Sequence, residues 1–165
     1  MIACPDTSPL LVLARIDRLK LLGDPPSVIL SRVVLNEVRE KQDAATTRIE
    51  HLAAACREIV DPEMPGFIDP DHTLGPDERS VLAWAASSRA NALCIFDDSS
   101  ARALARRLGL ALTGTLGLVL RAKKDGHVVA AAPLLREAVE AGLYLDDAVI
   151  AAALSRVGEH WPGPK

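Results

Sequence analysis

The stretch Ala92–Gly109, ALCIFDDSSARALARRLG, carries the pattern on which the whole chain is built. Ala92–Phe96 is a short unbroken apolar run, the signature of a strand buried on both faces. Asp97 and Asp98 end it, and Asp is a favoured residue just ahead of a helix. Ser99–Leu108 then places apolar residues at helical spacing, and Gly109 closes the helix. A strand that passes through an acidic cap into a helix is half of a βαβ unit, the building block of a parallel sheet covered by helices.

The same order recurs on both sides. Ile2–Pro5 is an apolar run, and Ser8-Pro9, read as N-cap and first helical residue, opens a helix through about Leu22. Gly23-Asp24-Pro25-Pro26 stops it, Val28–Leu30 is a brief strand, and Ser31 caps a helix through about Lys41. A third helix runs to about Arg57, and Ile59-Val60 can serve as a strand. Asp61–Pro76, rich in Pro, Gly and Asp, is the longest loop. Pro76 starts a helix to about Arg89. Leu110–Leu112 reads as a strand, and Gly114–Lys124, Pro133–Ala141 and Asp146 to about Val157 read as helices. Such alternation predicts right-handed crossovers and a site outside the carboxyl ends of the strands.

Composition narrows what that site can do. The chain has 165 residues, enough for one domain, with 49% apolar and 25% charged residues. Five aromatic residues argue against a base-stacking platform, and a formal charge of −3 gives no global field for a polyanion. A nucleic-acid site would have to be local. Cysteines at 4, 56 and 94 form neither a disulfide framework nor a Cys-type zinc site, which points to a reducing cytoplasm. No basic n-region or apolar run of ~18–20 residues is present, so neither export nor a membrane span is expected. The GxxxxGK[ST], GxGxxG and GxSxG motifs are absent, and the four histidines form no i,i+4 pair.

Carboxylates, in contrast, fall where a site should be. Asp6 ends the first strand, and Asp97 and Asp98 end the Ala92–Phe96 strand. Glu37 lies four residues after Val33 and three after Val34, beside the apolar stripe of its helix. Glu78 precedes Val81 and Leu82 by three and four residues. Each has an ordinary reading as well: turn residue for Asp6, cap for Asp98, partner of Lys41 for Glu37, helix-dipole residue for Glu78. Together they would form an all-oxygen pocket suited to Mg²⁺ or Mn²⁺, and the matching chemistry is phosphodiester hydrolysis by metal-activated water.

Asp6-Thr7-Ser8-Pro9-Leu10, Asn36-Glu37-Val38, Gly75–Ala83, Asp97-Asp98 with Ala101-Arg102, and TGTLGLVLRAK from Thr113 to Lys123 resemble the PIN-domain family. The likeness covers residues 1–158 and is nearest to a predicted nucleic-acid-binding branch close to the VapC-like toxin ribonucleases. It implies an α/β fold, a three-layer α/β/α sandwich with a short central parallel sheet of four to five strands. It also implies one domain over residues 1–158 and a flexible tail over 159–165. The expected activity is a Mg²⁺- or Mn²⁺-dependent endoribonuclease of the cytoplasm that cuts single-stranded RNA, the toxin of a type II toxin–antitoxin pair. A small antitoxin and a homodimer are the partners implied, with no membrane.

By the resemblance Asp6, Glu37 and Asp98 hold the metal, Asp97 taking that place if the strand ends one residue earlier, and Glu78 or Asp97 positions the attacking water. Thr7, Ser8 and Ser80 would stand behind these ligands. Arg79, Arg102, Arg106, Arg121 and Lys123 would hold the RNA backbone. Two positions depart from the family pattern: Ser80 stands where relatives carry an acid, and Ser99 where they often carry a basic residue. They favour an alternative, a catalytically degenerate PIN domain acting as a nucleic-acid-binding or protein-interaction module. A phosphoacceptor role for Asp97 ranks last, because no second acid follows Asp6 at the spacing of a DxDxT phosphatase.

Overall fold

Short apolar strands alternating with helices return the chain to the same sheet edge at every crossover, so all its strands run parallel. The computed structural model describes residues 1–68, 73–88 and 90–164. The middle of the Asp61–Pro76 loop, the expected helix end at Arg89 and Lys165 lie outside them. The strands are β1 (Ile2–Pro5), β2 (Ile29–Ser31), β3 (Glu58–Val60), β4 (Ala92–Ile95) and β5 (Leu112–Thr113). Eight α-helices stand among the described residues: α1 (Thr7–Arg15), α2 (Arg32–Lys41), α3 (Thr46–Ala55), α4 (Pro76–Ser87), α5 (Ser99–Arg107), α6 (Thr115–Lys124), α7 (Ala131–Glu140) and α8 (Asp147–Ser155).

The strand opening the sequence argument, β4, is the centre of a parallel β1-β4-β5 sheet, with Cys4 opposite Cys94 and Cys94 opposite Leu112. β2 and β3 form a separate parallel pair, joined to β1 by one bridge between Ala3 and Val28. The five strands expected are therefore present as three plus two. Pro25 and Pro26 precede Val28, and without N–H groups they cannot extend the pairing towards β1. The main apolar cluster joins the strands to α1, α2, α4 and α5 around fully buried Phe96, Leu10, Leu13 and Ile95. A second cluster packs α6, α7 and α8 against Val12 of α1 and Trp161.

Two boundaries differ from the sequence reading. The first helix begins at Thr7 and ends at Arg15, not Leu22, because Asp17 adopts φ 56° and the Arg18 N–H reaches back to the Leu13 carbonyl at 2.8 Å. That is a left-handed helix stop made by Asp in place of the expected Gly, followed by a 3₁₀ turn over Leu19–Leu22. The stretch read as a tail docks at three residues, one of them Gly163, whose carbonyl accepts the Arg136 Nε–H at 3.3 Å. The Glu159 carboxylate accepts the Ala131 and Ala132 N–H groups at the start of α7, and buried Trp161 donates its indole N–H to Asp147 at 2.9 Å.

Every strand points its carboxyl end at one edge. There β1, β2, β4 and β5 feed directly into α1, α2, α5 and α6, while the loop after β3 delivers the chain to α4. No helix among the described residues is long and apolar enough to cross a membrane.

Candidate active site

Asp6 stands at the N-cap position of α1, where an Asp side chain ordinarily accepts a hydrogen bond from the first helical turn. Here it makes no such cap. The residue is 3% exposed, and among the described residues its Oδ1 is buried without a hydrogen-bond partner. Burial and the carboxyl group of Asp77 push its pKa up to about 10, with only the Thr7 N–H acting in the opposite direction among its near groups. Asp77, the second residue of α4, is 8% exposed. Burial pushes its pKa up too, but contacts with Asp6, Thr7, the Glu78 backbone and Glu37 outweigh that and hold it below the ordinary value. The pair thus keeps one shared proton well above the usual carboxylate range, because two buried carboxyl groups in contact cannot both ionise. The buried Thr7 hydroxyl lies beside Asp77 and lowers its pKa while falling short of full hydrogen-bond geometry.

The other acids gather around this pair, each with a structural partner. Glu37, half-buried on α2, faces Asp77 and pairs with Lys41 Nζ at 3.1 Å. Glu78 accepts the Gly75 N–H through Oε2 at 2.8 Å, closing the first turn of α4. Burial, then Asp98, Asp77 and Glu37, raise its pKa. Asp98 caps α5 by accepting the Ala101 N–H at 2.9 Å. Glu37, Asp77 and Asp98 therefore all lie within electrostatic reach of Glu78, and Asp77 joins them to Asp6.

Asp97 points elsewhere. Its Oδ1 accepts the Thr115 N–H at 2.7 Å and its Oδ2 the Thr115 hydroxyl at 2.6 Å, tying the end of β4 to the start of α6. Burial raises its pKa despite those bonds. Gly114 fits because a Cβ there would stand 2.7 Å from the Phe96 carbonyl, 2.8 Å from Asp97 and 2.9 Å from Arg102. Ser80 also turns inward: its hydroxyl meets Ser31 Oγ and the Asp77 carbonyl, each at 2.7 Å, binding α4 to the cap of α2. Ser8 and Ser99 are exposed.

The five basic candidates do not form one patch. Arg79 follows Glu78 on α4. Arg102, half-buried, donates to the Phe96 carbonyl at 2.8 Å, and burial, then neighbouring Arg106, lower its pKa. These two elements begin at the acidic edge. Arg121 and Lys123 lie in the last turns of α6, whose first turn is at that edge. Arg121 opens into a cleft of about 1210 Å³ shared with Arg18, Arg48, His51 and His127. None of the acids above lines that cleft; the groove beside them is smaller, about 570 Å³, between Glu37, Lys41 and Pro76. Lys123 is held by the Val129 carbonyl and by Glu159 at 3.6 Å.

Asp77 is the residue the sequence reading passed over. It stands four positions before Val81, so the spacing that singled out Glu78 selects it equally. Its donors are oxygen, as Mg²⁺ or Mn²⁺ require, and a divalent cation would both satisfy the orphaned Asp6 oxygen and offset the repulsion of the pair. On that observation the residues fit the ion. Among the described residues no three Asp, Glu, His or Cys side chains already converge at ligating distance.

A family model described as a PIN domain matches residues 2–159. No curated protein gives a significant match to the chain.

Proposed function

Because the chain belongs to the PIN-domain family, whose members are generally nucleases, we propose that it is a Mg²⁺- or Mn²⁺-dependent endoribonuclease acting on single-stranded RNA. The observation that carries this reading is Asp6: a residue at a cap position that does not cap, buried with an orphaned oxygen against a second carboxyl. Such an arrangement costs stability and needs a compensating function.

Asp6 and Asp77 would hold the ion from β1 and α4, with Glu37 and Asp98 reaching in from α2 and α5. When bound, the ion supplies charge for the phosphoryl oxygens and a water that ionises near neutrality. The chain does the rest. Asp6 gives up its proton on binding, and the Thr7 hydroxyl steadies Asp77 as an anion. Glu78 has one oxygen fixed by the Gly75 N–H and a raised pKa, which suits Oε1 to accept a proton from the attacking water. Arg79, Arg102 and Arg106 stand on the helices that begin at this edge and are suited to the RNA backbone. Asp97 positions the edge through Thr115. The wider expectations of the family resemblance, a toxin of a type II toxin–antitoxin pair acting in the cytoplasm, a homodimer and a small antitoxin, are retained as proposals.

A second reading, a degenerate module that binds RNA or protein without cutting, is favoured by the structural partners already held by Glu37, Glu78 and Asp98 and by the inward-facing Ser80. Cleavage of mixed single-stranded RNAs with Mn²⁺ separates the two. The nuclease reading expects cutting that Asp6→Asn and Asp77→Asn each reduce at least ~100-fold, as loss of one charge-stabilising group does. Inert wild-type protein, or an Asp6→Asn variant that cuts as well, supports the module.

A further inference from the structure

Of the five aromatic residues, Trp84, Phe96 and Trp161 are buried, while Phe67 is 55% and Tyr144 94% exposed. Their surroundings differ. Tyr144 follows Gly142, on the connection that receives the Arg15 guanidinium from the far end of α1 through the Ala141 carbonyl, so it lies away from the acidic edge. Phe67 sits on the loop that leaves β3 at that edge and delivers Asp77 and Glu78. Arg32, the first residue of the helix bearing Glu37, pins the start of the loop to Asp61 at 2.7 Å. Fully buried Ile68 and nearly buried Leu74 anchor it further on. A turn closed by the Ile68 N–H on the Pro65 carbonyl at 2.9 Å leaves Gly66 and Phe67 exposed next to the buried anchor. A large apolar ring is thereby held in water on an anchored loop whose ends meet two acid-bearing helices.

Resting on the nuclease reading above, we propose that Phe67 is the base-stacking residue of the RNA site, taking an unstacked base of the bound strand. The size of the surface favours RNA over a protein partner. Phe67 and half-exposed Met64 are the only large exposed apolar side chains among the described residues of this loop, fewer than the apolar anchors at the core of a protein interface. Every base has a π-face, so such a residue holds the strand without reading its sequence, and it supplies affinity that a chain of net charge −3 does not obtain from a basic field.

The test is binding, with Ca²⁺ replacing Mn²⁺ and fluorescence anisotropy of a short labelled single-stranded RNA and its abasic counterpart. Phe67→Ala is expected to weaken RNA binding by about 5- to 150-fold, the worth of one stacked base, and to leave abasic binding unchanged. Phe67→Trp should restore affinity, with RNA quenching the new indole's fluorescence, and Tyr144→Ala should match wild type. Wild-type RNA affinity in Phe67→Ala overturns the stacking role and leaves the nuclease reading intact. Unchanged RNA affinity with loss of self-association in that variant assigns Phe67 to a protein interface instead. Wild-type protein that binds no RNA overturns both.

Discussion

At the scale of the residue, the informative contrast is between Asp6 and Asp98. Both occupy N-cap positions at the carboxyl edge of the sheet, and only Asp98 accepts a helix N–H. Asp6 instead shares a buried space with Asp77, which raises its pKa from 3.8 to about 10. The folded chain therefore holds a proton that the unfolded chain releases, so this contribution to stability is full below about 3.8 and is lost as pH rises towards about 10. Thermal melts in chelator should show the wild-type melting temperature falling relative to that of Asp6→Asn as pH rises across that window. Above neutrality Asp6→Asn should melt higher, since folding of the wild type must then protonate Asp6 whereas Asn has no proton to take up. Mn²⁺ should raise the wild-type melting temperature more as pH increases, because the ligands must be deprotonated. A wild-type melting temperature that keeps a constant offset from Asp6→Asn over the same range would contradict a protonated acidic pair.

At the scale of the element, the site depends on how β4 meets α6. Asp97 does not face the acidic cluster; it accepts two hydrogen bonds from Thr115. Thr115→Val removes one donor from a buried carboxylate and should cost about 1–3 kcal/mol, seen in denaturant unfolding as a lower midpoint at unchanged slope, with Thr115→Ser close to wild type. Loss in Thr115→Ser with Thr115→Val close to wild type would mean that the methyl group, not the hydroxyl, matters. Much of this level could be read from sequence. β1, α2 and β4 follow from apolar runs, caps and breakers; the rule that sites lie beyond strand carboxyl ends selects Asp6 and Asp98, and the apolar stripe of α2 selects Glu37. What could not be read depends on contacts distant in the chain: the turn of Asp97 towards Thr115, the Ser31–Ser80 bond, and the divergence of Arg121 and Lys123 from the site. The helix stop at Asp17 was missed because the left-handed position was sought in Gly. Asp77 was passed over because an acid in a first turn already has a sufficient explanation in the helix dipole.

At the scale of the whole molecule, the net charge of −3 acquires a location. Several of the acids face one another at one sheet edge, where a divalent ion would neutralise them, while a cleft of about 1210 Å³ carrying Arg18, Arg48 and Arg121 opens elsewhere with none of them in its lining. RNA binding at the acidic edge should accordingly depend on the ion rather than on a general basic surface. The central claim is that Asp6 and Asp77 form the ion's core ligands. Calorimetric titration of Mn²⁺ into wild-type, Asp6→Asn and Asp77→Asn proteins, repeated in buffers of different ionisation enthalpy, tests it most directly. The account predicts saturable binding by wild type with release of about one proton, the one retained by Asp6, and at least ~10-fold weaker binding by either variant. Absence of binding by folded wild-type protein, or equal affinity in all three, would contradict it.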